Sequence, residues 1–119
     1  MSEYIEYEAL TSEVVAIAAE VFRLLADGTR IRLLWALAEA ELSVTELVER
    51  VGRPQPTVSQ HLAKLRLARL VGTRREGTQV FYSLENEHVR NLVVDGVHNA
   101  EHAIPGVPPH HQNAQVSQE

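Results

Sequence analysis

Two helical patterns separated by a short turn constrain the fold of this chain more than any other feature. Ser43 and Glu46 have the spacing of a capping box at the start of the first pattern, in which each side chain accepts a hydrogen bond from a free backbone amide. Gly52 fits the left-handed position that ends such a helix. The sequence RPQP at 53–56 is a turn into the second pattern, because proline in the first turn of a helix loses no internal hydrogen bond. The sequence therefore predicts a short helix, a tight turn and a second helix.

The second helix is predicted to have one apolar and one polar face. Val58, Leu62 and Leu65 recur at helical spacing and are expected to point inward. Two helices of this kind form a helix-turn-helix, whose second helix fits the major groove of DNA. An ordinary amphipathic helix with a solvated face would show the same pattern. The polar face contains short polar or basic side chains and no carboxylate: Gln55, Thr57, Ser59, Gln60, His61 and Lys64. Of these, His61 is expected either to face DNA or to cap a local network.

The rest of the chain predicts more helices and one β-hairpin. From Val71 the apolar residues alternate on either side of Glu76-Gly77, which is typical of a two-stranded hairpin. Helical spacing predicts helices at 12–26, with Ser12 as the N-cap, from Ile31 to about Glu39, and at 86–102. The predicted fold is mainly α with a small β-hairpin, in the order α-α-α-α-β-β-α.

The length of 119 residues fits one globular domain. We expect this domain to occupy residues 12–102, after an N-terminal extension at 1–11. Residues 103–119 contain three prolines and few large apolar side chains, so we expect a flexible, His-containing tail.

The charge of the chain is distributed unevenly. Residues 1–52 carry ten acids and four bases, net −6, and residues 85–119 carry five acids and one base, net −4. Residues 53–84 between them carry one acid and six bases, net +5, although the whole chain has a net charge of −5. A basic segment between two acidic ones is the charge pattern expected where one part of a small protein meets phosphate.

Composition excludes several functional classes. The chain has no cysteine, so it can form neither a disulfide nor a thiolate metal site. It has no apolar run long enough to cross a bilayer, and its acidic start does not resemble a signal peptide. We therefore expect a cytoplasmic protein with no membrane partner. No nucleophile–base pair or phosphate-binding glycine motif is visible, so we expect no enzyme activity.

Three segments together resemble the ArsR/SmtB family of bacterial winged-helix metalloregulators. They are LADGTRIRLLWAL, the SQHL-x-x-L core of the second helix, and the hairpin phrase V-x-x-R-R-x-G-x-x-x-x-Y. The resemblance covers about residues 20–102. It implies a homodimer built from the first and last helices, which binds an imperfect inverted repeat in operator or promoter DNA. It also assigns DNA contacts to the polar face of the second helix and to the hairpin, or wing, residues Arg74, Arg75 and Gln79.

Five of the six histidines lie in the last 32 residues. His88 and His102 are 14 residues apart, which places them about 40° apart on one face of a helix but about 21 Å apart along it. One helix therefore cannot bring both to one ion. Two last helices lying antiparallel across a dimer axis can bring His88 of one chain toward His102 of the other.

The family's interfacial metal site is written D-x-H near the start of this helix and H-x-x-H or H-x-x-E near its end. This sequence has Asn86 in place of the Asp and Asn99 in place of the first His of the second pair, which disfavours a tetrahedral Zn(II) site. More than four nitrogen and oxygen donors remain, which suits Ni(II) or Co(II) better than Zn(II). The stretch AEHAIPGVPPHH is also similar to the nickel/cobalt-sensing actinobacterial branch of the family. The expected metal ligands are His88, His98, Glu101, His102, His110 and His111.

Two other functions remain open at this point. One is a winged-helix regulator whose metal site has decayed and which responds to a partner protein or another signal. The other is a nickel-handling protein or small metalloenzyme that uses the His-rich end. The ligand types do not determine whether metal strengthens or weakens DNA binding, because the sign of coupling between two sites is a separate property.

Overall fold

The computed structural model describes residues 10–108 and 110. None of the helices in these residues combines the length and apolar character needed to cross a membrane. The elements follow one another as α1 (Ser12–Leu25), α2 (Gly28–Glu39), β1 (Leu42–Ser43), α3 (Val44–Val51), α4 (Gln55–Leu67), β2 (Val71–Glu76), β3 (Gln79–Leu84) and α5 (Glu87–His102).

Helix α2 lies at the centre of the fold and packs against α1, α3, α4, α5 and strand β3. Its Leu33 and Leu34 are fully buried. Each aliphatic side chain of this size that leaves water contributes about 1.5–3 kcal/mol to folding. The core also contains the fully buried side chains Leu47, Val58, Leu62, Leu65 and Val71.

The helix-turn-helix is formed by α3 and α4, as predicted. The Ser43 hydroxyl accepts from the Glu46 N–H at 3.2 Å, and the Ser43 N–H donates to Glu46 Oε1 at 2.8 Å, which completes the capping box. Gly52 ends α3 with φ +67°, in the left-handed region. Helix α4 begins after Pro54 and has no side-chain cap, so its position depends on the burial of its apolar face.

The wing is the antiparallel hairpin β2–β3, with pairs from Val71–Leu84 to Glu76–Gln79. The predicted hairpin is therefore confirmed. The sequence did not predict β1, whose two residues pair with Tyr82 and Phe81 of β3. The sheet is consequently three-stranded, in the order β1-β3-β2. Two residues are too few to show an alternating pattern, so no sequence periodicity marks this strand.

Helices α1 and α5 each begin at a residue whose side chain caps the helix. The prediction that Ser12 caps α1 was wrong, because Thr11 has the extended backbone of a cap and its Oγ1 accepts from the Val14 N–H at 3.1 Å. At α5 the cap is Asn86, whose Oδ1 accepts from the Val89 N–H at 3.0 Å. Asn86 therefore has a structural role at the start of the last helix.

The connection from α4 to the wing contains a strained residue. Arg69 has φ +63°, a left-handed conformation that costs a residue with a side chain about 1–2 kcal/mol. The turn is held by hydrogen bonds from Arg69 N–H to Arg66 O and from Leu70 N–H to Leu65 O, each 2.9 Å. Glycine would adopt this backbone without the steric cost.

We predict opposite effects of glycine at two neighbouring exposed arginines. Arg69→Gly should raise the free energy of unfolding by about 0.5–1 kcal/mol, because relief of strain exceeds the added freedom of the unfolded chain. The control Arg66→Gly, in the last turn of α4, should lower it by about 0.5–1 kcal/mol, because glycine is a poor helix former. Urea unfolding measures both values. Equal destabilisation by the two changes would contradict the assignment of strain to Arg69.

Candidate nucleic-acid and metal sites

The exposed face of α4 is created by the burial of the opposite face. Val58, Leu62 and Leu65 have no exposed surface, and this stripe turns the polar residues outward. The predicted DNA-facing residues Gln55, Ser59, Gln60 and Lys64 are exposed, whereas Thr57 is half-buried at the boundary. The exposed set offers amide, hydroxyl and ammonium groups, which can donate to and accept from base edges and phosphates.

His61 is less exposed than Gln60 beside it and takes part in a hydrogen-bond network with Arg30. It is half-buried at the inner edge of α4, where its Nδ1 accepts a hydrogen bond from Arg30 Nε at 3.0 Å. Arg30 Nη1 also donates to the backbone oxygen of Leu24 at 3.3 Å. The side chain turns inward because Arg30, 31 positions earlier in the chain, presents a donor to it.

Asp27 supports the same junction from the start of α2. It is the N-cap of that helix, and its Oδ1 accepts from the Arg30 N–H at 3.0 Å. This hydrogen bond is the main cause that lowers the pKa of Asp27 below its ordinary value, with burial opposing it. The charged form of Asp27 therefore favours the folded arrangement around Arg30.

The two wing arginines have different surroundings. Arg74 donates to Glu41 through Nε and Nη2, at 2.8–3.1 Å, and to Glu76 through Nη1 at 3.2 Å. Its guanidinium also lies 4.9 Å from the centre of the Phe81 ring. The hydrogen bonds from Arg74 lower the pKa of Glu41, and the same contacts raise the pKa of Arg74. Arg74, predicted to serve DNA, is thus already paired with carboxylates.

Arg75 is the wing cation that remains available. It is exposed, and across residues 10–108 and 110 its side chain has no hydrogen bond or ion pair. Gln79, on the neighbouring strand, is exposed as well. Arg75 pairs with Val80 and Gln79 pairs with Glu76, so the two exposed side chains lie on opposite faces of the hairpin.

The histidine-rich end of α5 folds back on itself at one point. The backbone N–H of His110 donates to Glu101 Oε1 at 2.8 Å, and the His110 ring contacts the other carboxylate oxygen. This backbone hydrogen bond is the main cause that lowers the pKa of Glu101. Trp35 of α2 lies beside the pair, with its ring centre 5.0 Å from that of His110 and 6.1 Å from that of His98.

The structure does not gather all the predicted ligands in one chain. His88 is exposed in the first turn of α5, and His102 is exposed at its end. His111 falls outside the described residues. Among residues 10–108 and 110, no three His, Asp or Glu side chains are close enough together to hold a metal ion. Imidazole and carboxylate donors suit a divalent ion, but a complete site needs ligands beyond those this part of one chain brings together.

Three participants in these sites escaped the sequence interpretation. Arg30 contacts α4, which is the recognition helix of the helix-turn-helix. Trp35 contacts two histidines, and Glu41 forms an ion pair with Arg74. No local signal identified them, because each partner lies more than 30 positions away. Trp35 in particular fitted the apolar stripe of its own helix.

A winged helix-turn-helix with an exposed polar recognition face defines a class of DNA-binding regulators. The sequence model of the family described as "Bacterial regulatory protein, arsR family" matches residues 27–73. The HTH-type transcriptional regulator KmtR of Mycobacterium tuberculosis is 63% identical over 107 residues, covering 90% of this chain and 82% of that protein. The chain belongs to the ArsR family of transcriptional regulators, as its motifs predicted.

Two further comparisons agree with this assignment. The HTH-type transcriptional repressor SmtB of M. tuberculosis is 41% identical over 93 residues, or 77% of this chain and 69% of that protein. The solved structure of the homodimeric winged helix-turn-helix DNA-binding domain of Mb0332 from Mycobacterium bovis is similar, with a TM-score of 0.71 and 30% identity. That match covers 81% of this chain and 93% of the Mb0332 domain. The relatives are transcriptional regulators, which confirms the prediction that the chain is not an enzyme.

The lowered pKa of Asp27 predicts a dependence of stability on pH. Its contribution should be fully present above the ordinary value of 3.8 and lost as pH falls through the lower folded value. Asp27→Asn keeps an acceptor at the cap without the charge. The variant should therefore have a lower free energy of unfolding than wild type at neutral pH, and this difference should become smaller in strong acid. Urea unfolding at several pH values measures the difference. A difference that does not change with pH would contradict the prediction.

Proposed function

We propose that this chain is a homodimeric, metal-responsive transcriptional regulator that binds an imperfect inverted repeat in operator or promoter DNA. The observation that carries the DNA part is the exposed face of α4, where Gln60 and Lys64 stand opposite a fully buried apolar stripe. The effector that best suits the donor set is Ni(II) or Co(II).

Base reading and phosphate binding divide between the two elements of the DNA surface. Gln60 carries an amide that can donate and accept at one base edge, as adenine recognition requires. Arg75 on the wing carries a cation without a partner among the residues that the structure describes, and this suits phosphate, which is the same in every sequence. His61 and Arg74 have protein partners, so their direct contribution to DNA binding is smaller in this proposal than in the sequence interpretation.

Two alanine variants test this division. Gln60→Ala should weaken operator binding by about 1–3 kcal/mol and relax preference at one base pair. Arg75→Ala should weaken binding to all duplexes alike and reduce the slope of log K against log salt by about one. Arg32→Ala, an exposed arginine on α2 outside this surface, controls for the lost charge. Fluorescence anisotropy against operator and unrelated DNA measures the effects, and equal loss of specificity from both variants would contradict the division.

The homodimer is supported by an uncovered apolar surface on α1 and α5. A groove of about 400 Å³ between these helices and α2 has an almost wholly apolar lining, which includes Phe22, Ile31, Leu92, Val97 and Ile104. Phe22 remains 58% exposed in the single chain. A surface of this kind favours association, and a two-fold axis lets the same patch cover itself. The Mb0332 domain, of similar fold, is described as homodimeric.

A charge in this groove should separate the subunits. We expect the wild-type protein to sediment at twice the chain mass of 13.3 kDa, and Phe22→Glu to sediment at the chain mass, because an unpaired carboxylate in an apolar interface is costly. Leu67→Glu is the matched control, since Leu67 is 86% exposed on α4 away from the groove. A Phe22→Glu dimer as stable as wild type would exclude this surface as the interface.

The metal response is supported by the chemistry around α5. Glu101 and His110 already meet, which brings part of the tail to the helix end. His88 lies about 20 Å away along α5, so it reaches the same ion only if a second chain lies antiparallel. Asn86 serves as a helix cap and gives the site no carboxylate, which makes the four-ligand Zn(II) site of the family less suitable. We therefore propose that His88, Glu101, His102, His110 and His111 bind the ion, with His98 as a further candidate.

Deletion of the tail tests the metal site. Truncation after Pro109 should strongly weaken Ni(II) binding, because it removes two imidazoles while leaving the DNA-binding and dimer helices intact. Truncation after His111 is the matched control and should retain affinity. Binding should also weaken in acid, since protons compete with the metal for the same ligand atoms. Calorimetry with Ni(II), Co(II) and Zn(II) measures these effects.

His88→Ala tests whether two chains share the ion. Loss of Ni(II) affinity in this variant is expected for an interfacial site. Unchanged affinity, together with a large loss on truncation, would place the ion entirely in the tail and helix end. If wild type binds none of the three metals, the alternative is a regulator that answers to a partner protein or another signal.

A further inference from the structure

Arg30 connects three parts of the molecule behind the recognition helix. Its guanidinium donates to His61 of α4 and to Leu24 O at the end of α1, while its backbone N–H is held by Asp27. We propose that Arg30 is a positioning residue for DNA recognition, which sets the rotation of α4 through His61. This inference rests on the proposed DNA binding.

The apolar packing of α4 does not fix the rotation of the helix about its axis, so a directional interaction such as a hydrogen bond must fix it. Contacts of Val58, Leu62 and Leu65 hold the helix against the core, but hydrophobic attraction has no preferred direction. A rotation of 20° moves a side-chain tip at a radius of about 5–6 Å by about 2 Å. That displacement exceeds the tolerance of a hydrogen bond to a base edge.

The Arg30–His61 hydrogen bond has the direction that packing lacks. It joins Nε of Arg30 to Nδ1 of His61 at 3.0 Å, and it is partly protected from water. His61 lies between Gln60, which is exposed, and Leu62, which is buried. Fixing its ring at the inner edge therefore fixes the outward direction of Gln60, one residue or 100° away.

The arginine is itself held from two other sides. Leu24 O accepts from Nη1 at 3.3 Å, and the Asp27 carboxylate accepts from the backbone N–H at 3.0 Å. Both contacts lie outside α4. Through Arg30, the orientation of α4 is therefore set relative to the end of α1 and the start of α2. Nδ1 accepts in this arrangement, so the ring proton of neutral His61 is on Nε2.

The two ring nitrogens give a clean test. In His61→Asn, the amide oxygen takes the place of Nδ1 and can still accept from Arg30, while the group at Nε2 is lost. In His61→Phe, a ring of similar shape remains without an acceptor. A duplex selected by the wild-type protein from a randomised inverted-repeat library serves as the operator, beside an unrelated duplex of the same length.

We expect His61→Phe and Arg30→Met to lose tenfold or more of the preference for the selected duplex. Their affinity for unrelated DNA and their salt slope should stay near wild type, because phosphate contacts tolerate a small rotation. His61→Asn should keep most of the preference. The double variant Arg30→Met/His61→Phe should be no worse than either single one, because both remove the same bond.

Three results would overturn the proposal. Equal losses in His61→Asn and His61→Phe would mean that Nε2 contacts DNA directly. Parallel losses on selected and unrelated DNA, matched by lower unfolding stability, would mean a structural role only. No loss in Arg30→Met, which leaves His61 intact, would remove the arginine from recognition. If wild type selects no sequence at all, the proposed sequence-specific DNA binding itself fails, which is a distinct outcome.

Discussion

The burial of three aliphatic side chains of α4 is the interaction on which the rest of the structure depends. Val58, Leu62 and Leu65 have no exposed surface, and they pack in a core with Leu33, Leu34 and other buried residues. Helix α4 has no side-chain cap at its start, so tertiary packing must supply its stability. The polar face of α4 is turned outward only because this apolar stripe is buried on the opposite side of the helix.

Electrostatics on the DNA surface follows from how the few cations are shared. The chain has a net charge of −5, so attraction to a polyanion depends on locally unpaired bases. Glu41 and Glu76 form ion pairs with Arg74, which favours Arg75 and Lys64 for the proposed contacts to phosphate. The ion pair instead holds the middle of the wing, where Arg74 pairs with Phe81 and its guanidinium also covers the Phe81 ring.

Local rules predicted most of the fold, and contacts between distant residues account for what they missed. The capping box at Ser43, the left-handed Gly52 and the hairpin turn at Gly77 each follow from the chemistry of a few neighbouring residues. Strand β1 was missed because its two residues gain their structure only from pairing with β3.

The candidate sites show the same division. Helical spacing placed Gln60 and Lys64 on the exposed face, but it could not distinguish the face from its edge at His61. That distinction depends on Arg30, 31 residues away, just as the role of Arg74 depends on Glu41, 33 residues away. The metal ligands depend on still more distant relations, since the proposed site draws on two chains.

Strand β1 is only two residues long, but it connects the wing to α3. Ser43 pairs with Phe81 of the wing and also caps α3, and Glu41 beside it holds Arg74 of β2. The wing is thus held to α3, the first helix of the helix-turn-helix. The distance between the wing and α4 is therefore fixed. DNA that meets both must have a groove of matching width, or deform until it does. The stiffness of the duplex between the contacted positions therefore enters the affinity, even at base pairs that no side chain touches.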